Sequence, residues 1–150
     1  MKRLIKIKET IHILIFNFLC RFRFVYIINV SMEPTIKSRS MKIVDTSAYI
    51  SKKPKRLDVV MVIDPSNNER NLIKRVVGLP GECVELKFGE IFIDEYPILH
   101  PVPLSGIQRT YYWRVADDEV VLLGDNIASS TDSRHFGPVN IRDIVGKLVK

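Results

Sequence analysis

The spacing of apolar and polar positions changes near residue 20. Before it, an apolar run over 11–20 follows Lys2, Arg3, Lys6 and Lys8 and is closed by Arg21 and Arg23. After it, Phe22, Phe24, Tyr26 and Ile28 alternate with Arg23, Val25 and Ile27, a period of two rich in aromatic and β-branched residues that predicts a strand. Similar runs predict strands over 42–49, 57–63, 71–78, 82–88, 90–94, 111–115, 119–123 and 144–149, with Gly, Pro, Asn and Asp clusters between them. Phe88-Gly89-Glu90 separates two alternating runs and predicts a hairpin turn. No long amphipathic helix is predicted after residue 30. The expectation is therefore a mostly β chain: a compact all-β body over 21–150, barrel or sandwich-like, preceded by a short hydrophobic anchor helix over 1–20. Two stretches read as loops. One is the basic stretch 51–56, a solvated loop suited to lipid phosphates; the other is the proline-rich stretch 97–109.

The first segment is short for a membrane span, which needs about 20 apolar residues. Extending it meets Lys8 and Glu9 on one side and Arg21 and Arg23 on the other. Snorkelling of the flanking cations would stretch it. Three readings stay open: a short uncleaved anchor, an interfacial segment and a buried helix. The basic start also resembles a secretory signal peptide, but no small-x-small cleavage site follows. If the segment spans, the cations favour a cytoplasmic N-terminus and place everything after residue 20 on the non-cytoplasmic face.

Composition narrows this picture only slightly. With 150 residues, 46% hydrophobic and 27% charged, the chain can bury a core and is not disordered. A net charge of +6 suits an anionic membrane surface as well as nucleic acid. Cys20 and Cys83 do not form a disulfide framework or a zinc spacing.

Familiar catalytic motifs are missing: there is no Gly-x-Ser-x-Gly, His-Glu-x-x-His, P-loop or dinucleotide fingerprint. His12, His100 and His135 are scattered, and a Ser-His-Asp triad would rest on His135 alone. Asp125, Asp132 and His135 read as turn residues rather than metal ligands, and no cofactor is called for. Lys74 is more informative. On a strand it shares a face with Leu72 and Val76, while Arg75 points the other way with Ile73 and Val77. A lysine pressed among apolar neighbours loses solvation of its charged form, and its pKa falls from about 10.4. The neutral amine is then a competent general base. The same alternation supplies no reason to desolvate Arg75. Read alone, Lys74 is more readily a partly exposed strand lysine that snorkels to water. Ser31 has a comparable ambiguity: it is either an ordinary turn serine or a nucleophile at a strand-to-turn corner with its own N–H free for an oxyanion. A third segment, 124–137, is dense in hydroxyls and small residues.

Taken together, three stretches resemble the type I signal peptidases. Ser31-Met32-Glu33-Pro34-Thr35 resembles the family's nucleophile box, and Lys74-Arg75-Val76-Val77-Gly78-Leu79-Pro80-Gly81-Glu82 its general-base box. Gly124-Asp125-Asn126 with Ser130, Asp132, Ser133 and Arg134 resembles its third box. The order is kept, and the likeness covers about residues 20–150. The resemblance implies a β-rich body with a membrane-facing apolar surface and a serine–lysine dyad, Ser31 as nucleophile and Lys74 as base. It implies that Ser130 orients the Lys74 amine, that Asp132 and Arg134 form a supporting ion pair which Arg75 could join, and that the Ser31 N–H serves the oxyanion. The implied partners are exported preproteins with small residues at −3 and −1, together with membrane lipid and no nucleic acid. One departure is Asn29, where the family commonly has a hydroxyl donor; its amide could donate instead. Two other readings compete. Self-cleaving SOS-type repressors share the dyad but carry a DNA-binding helix-turn-helix that is not visible here. A degenerate relative would bind signal-like peptides without cleaving them.

Overall fold

The computed structural model describes residues 21–149. The expected anchor over 1–20, with His12 and Cys20, lies outside the described residues. The body is mostly β, in two antiparallel sheets. β1 (Phe22–Ile27), β2 (Ser40–Asp45), β3 (Val59–Asp64), β4 (Asn67–Gly78), β9 (Glu119–Leu123), β10 (Val139–Asn140) and β11 (Ile144–Leu148) form a seven-stranded sheet in the order β1-β2-β11-β3-β4-β9-β10. β5 (Cys83–Lys87), β6 (Glu90–Ile93), β7 (Tyr96–Ile98) and β8 (Tyr111–Arg114) form a four-stranded sheet in the order β7-β6-β5-β8. Both sheets keep open edges, so neither closes into a barrel.

The differences from the predicted strands have local causes. The run 42–49 stops at Asp45 because that carboxylate accepts hydrogen bonds from the Ser47 N–H (2.9 Å) and hydroxyl (2.7 Å), which turns the chain. β7 falls partly in the expected proline-rich loop. It contains Pro97, which a strand tolerates at a sheet edge, and β7 is an edge strand. The predicted hairpin is present, with Phe88 and Gly89 at φ +49° and +84° joining β5 to β6. A helical turn, α1 (Ser133–Phe136), was not predicted; Asp132 caps it by accepting from the Arg134 N–H. The loop 51–56 is not wholly solvated either. Pro54 is buried, and Arg56 turns inward, donating to Val77 O and forming two bonds to Glu82 of 3.0 and 2.5 Å. Glu82 in turn accepts from the Leu79 N–H at 2.7 Å, which ties down the turn between β4 and β5.

The two sheets are joined by one apolar cluster. Val77, Val121 and Leu123 of the larger sheet pack with Val84, Leu86, Ile91, Ile93 and Trp113 of the smaller. A second cluster, including Val60, Val62, Leu72, Val76 and Leu122, packs along the larger sheet. Burial of each such side chain is worth about 1.5–3 kcal/mol. β4 lies in the middle, flanked by β3 and β9. Its first five residues are exposed, and from Leu72 onward it is buried apart from a half-buried Ile73. That placement controls what happens to its two adjacent cations.

Candidate active site

Ser31 stands in the turn that follows β1. Two apolar side chains root this turn: Met32 and Ile36 are buried with Ile27, Val44, Met61 and Leu148. Hydrogen bonds hold its backbone. The Glu33 N–H donates to Val30 O (3.0 Å) and the Ile36 N–H to Met32 O (2.8 Å). From the loop after β9, the Asn126 N–H donates to Ser31 O at 3.0 Å and the Asn126 amide to Val30 O at 3.2 Å. The Ser31 N–H has no protein partner among the described residues.

Lys74 comes to this corner from β4. Its Nζ donates to Ser31 Oγ at 2.8 Å and to Ile73 O at 3.0 Å, and the residue is 2% exposed. Burial, the largest influence, lowers its pKa from 10.5 to about 8. The Asp132 and Asp64 carboxylates oppose that fall, and Arg134 and Arg70 add to it. Ser31 and Lys74 both line a cleft of ≈ 380 Å³ with Asn29, Met61, Leu72 and residues of β1. Asn29 is exposed there, and its side-chain amide makes no hydrogen bond among the described residues.

The third segment braces this pair from behind. Asp132 is fully buried and accepts from the Gly124 N–H (3.0 Å), Arg134 Nε (2.8 Å) and Arg134 Nη2 (3.0 Å). Arg134 Nη2 also donates to Ile127 O (2.8 Å) and Ser130 O (3.0 Å), so a single guanidinium closes the whole loop. Gly124 is required by close approach. A β-carbon there would lie 2.1 Å from Ser130 Oγ and 2.6 Å from Ser31 O. Asp125 and Asp132 do not converge on one site, and His135 serves as a cap whose Nδ1 accepts from the Asp132 N–H.

Two expectations need correction. Ser130 does not hydrogen-bond the Lys74 amine. Its Oγ is buried against Gly124 without a hydrogen-bond partner, while the amine is occupied by Ser31 and Ile73. Arg75 does not join Asp132 and Arg134. Strand alternation sends it to the opposite face, which is also covered, leaving it 6% exposed. There it meets Asp125 through Nε (2.8 Å) and Nη2 (2.6 Å) and donates to Leu57 O (3.0 Å). Sequence reasoning missed this partner, although Asp125 stands inside the third box. It also missed Asp64, a buried carboxylate at the end of β3, and His100. The His100 ring is buried with Nε2 3.6 Å from Asp125 Oδ1, and burial pushes its pKa down.

A serine hydroxyl against a desolvated amine, on a mostly β frame, fits a serine hydrolase, and comparison with known proteins gives the family. The family described as signal peptidase, peptidase S26, matches residues 2–150. Signal peptidase I of Bacillus caldolyticus is 34% identical over 133 residues, covering 79% of this chain and 72% of that protein. Mitochondrial inner membrane protease subunit 1 of Mus musculus is 31% identical over 118 residues, covering 79% and 61%. The crystal structure of a signal peptidase I from Enterococcus faecalis superposes with a TM-score of 0.58 at 28% identity, covering 65% of this chain and 98% of that one. The chain belongs to the signal peptidase family, peptidase S26, and is a serine peptidase.

Proposed function

We propose that the chain removes signal peptides from exported preproteins, with Ser31 as nucleophile and Lys74 as general base. The observation that carries this reading is the 2.8 Å contact between Lys74 Nζ and Ser31 Oγ in a buried setting. As an ammonium, Lys74 donates to the hydroxyl. Once deprotonated, it takes the Ser31 proton through the same contact. Ser31 Oγ then bonds to the scissile carbonyl carbon, and the unpartnered Ser31 N–H is available to the oxyanion, with the Asn29 amide on the same cleft wall. The Lys74 ammonium returns its proton to the leaving amine as the peptide C–N bond breaks. A water deprotonated by Lys74 hydrolyses the resulting ester. Asp132 and Arg134 hold the loop behind the pair. The substrates are preproteins with small residues at −3 and −1.

The chain works at a membrane, with 1–20 as its anchor and the body on the non-cytoplasmic face. Exposed Phe24, Tyr26, Ile28 and Met41 support a lipid-facing edge beside residue 21. Among the described residues no helix is long and apolar enough to cross a membrane. The test compares processing of a purified preprotein by the unsubstituted chain, Ser31→Ala and Lys74→Ala. Each substitution is expected to abolish cleavage, and undiminished processing by either overturns the mechanism. A binding-only role, in which signal-like peptides are held without turnover, predicts no cleavage by the unsubstituted chain.

A further inference from the structure

We propose that Arg70 is a specificity-determining residue that draws an acidic side chain of the substrate to the outer end of the Ser31 cleft; this rests on the peptidase reading above. Arg70 belongs to the exposed first half of β4 and lines the same cleft as Ser31 and Lys74. Its side chain is 57% exposed. Nε and Nη2 both donate to Asp64 Oδ2, a fully buried carboxylate that also receives the Ser66 N–H on Oδ1 at 2.9 Å. Asp64 therefore aligns the guanidinium, and Nη1 keeps its protons uncommitted among the described residues. A guanidinium held in this way presents a ready donor pair to a second carboxylate.

The rest of the cleft carries no competing anion. No Asp or Glu is among its lining residues, and the neighbouring Glu69 is not one of them. With Lys74 neutral, as the base must be, Arg70 is the one formal charge on the lining. Arg70 precedes Lys74 by four positions on one strand, which separates their Cα atoms by about 13 Å at ~3.3 Å per residue, while the Arg70 charge still reaches the Lys74 amine. An extended substrate covers that distance in about four residues. The acidic position is therefore sought a few residues from the scissile bond, where Arg70 is exposed to solvent.

The experiment measures kcat/KM for pairs of peptides that carry small residues at −3 and −1. Members of each pair differ only by Glu or Gln at one position about three to five residues to either side of the scissile bond. At one position the Glu peptide is expected to be favoured about two- to fivefold, the size of an exposed ion pair, and the preference is expected to shrink at ~1 M salt. Arg70→Gln brings the ratio to one, and Arg70→Lys keeps part of it. Both peptides meet the same enzyme sample, so the ratio does not depend on the folded fraction. A brace that acts only through Asp64 or Lys74 would slow both peptides alike and leave the ratio unchanged. An unchanged ratio in Arg70→Gln, or no Glu preference at any position in the unsubstituted chain, overturns the proposal. If the unsubstituted chain hydrolyses none of the peptides, the peptidase reading fails instead. Binding of the Glu and Gln peptides to Ser31→Ala then decides Arg70: tighter Glu binding that Arg70→Gln removes sustains it, and equal binding overturns it.

Discussion

Replacing Lys74 by methionine should make the protein's stability respond differently to pH, because the buried amine titrates between the folded and unfolded values. Lys74 is 2% exposed, and its pKa falls from 10.5 to about 8 on folding. Below about pH 8 both states bind the proton, and the fold bears the full cost of a desolvated ammonium. At ~1.36 kcal/mol per pH unit that cost is about 3 kcal/mol. Between about pH 8 and 10.5 only the unfolded chain is protonated, so stability rises with pH. Above that range both states are neutral and the cost is gone. Methionine is similar in length and does not titrate. Urea denaturation of both proteins from pH 6 to 11 gives two curves in which all other ionisations are shared. Their difference should favour Lys74→Met by about 3 kcal/mol more at neutral pH than at the alkaline end. Lost hydrogen bonds and packing add only a constant offset. A difference that stays flat across this range would refute the claim that Lys74 is desolvated.

Three further outcomes follow from the same geometry. Peptide hydrolysis should rise with pH through a limb near 8, and Asp132→Asn should move that limb to lower pH, since the Asp132 carboxylate raises the Lys74 pKa; a pH profile of kcat/KM checks this. Gly124→Ala should cut activity by more than about tenfold and destabilise by about 1–3 kcal/mol, because its β-carbon would collide with Ser130 Oγ and Ser31 O, as read by turnover and urea melts. Asp125→Ala should cost about 3–5 kcal/mol by stranding the buried Arg75 guanidinium, and the double replacement Arg75→Met with Asp125→Leu should recover most of the loss in the same melts.

The local pattern carried much of the fold. Alternation placed most strands of the body within a residue or two, and Phe88-Gly89 announced its hairpin. It also put Lys74 and Arg75 on opposite faces, which follows from strand geometry alone. The edge strand containing Pro97 and the short helix over 133–136 were less legible, since four residues or fewer carry too little periodicity. The Ser31 and Lys74 pair was legible only through resemblance, because a turn serine and a strand lysine are each ordinary.

The sequence by itself therefore determined a β body, the segments of the site and the chemistry open to Ser31 and Lys74. Tertiary structure decided their surroundings. It buried both faces of β4, so Arg75 needed Asp125 and Lys74 lost its water. It packed Ser130 against Gly124 rather than aiming its hydroxyl at the amine. It set Asp64 beneath Arg70 at the cleft's outer end. Periodicity reports which face a residue takes; what covers that face is fixed only when distant strands, here β3, β9 and the loop over 124–132, close around it.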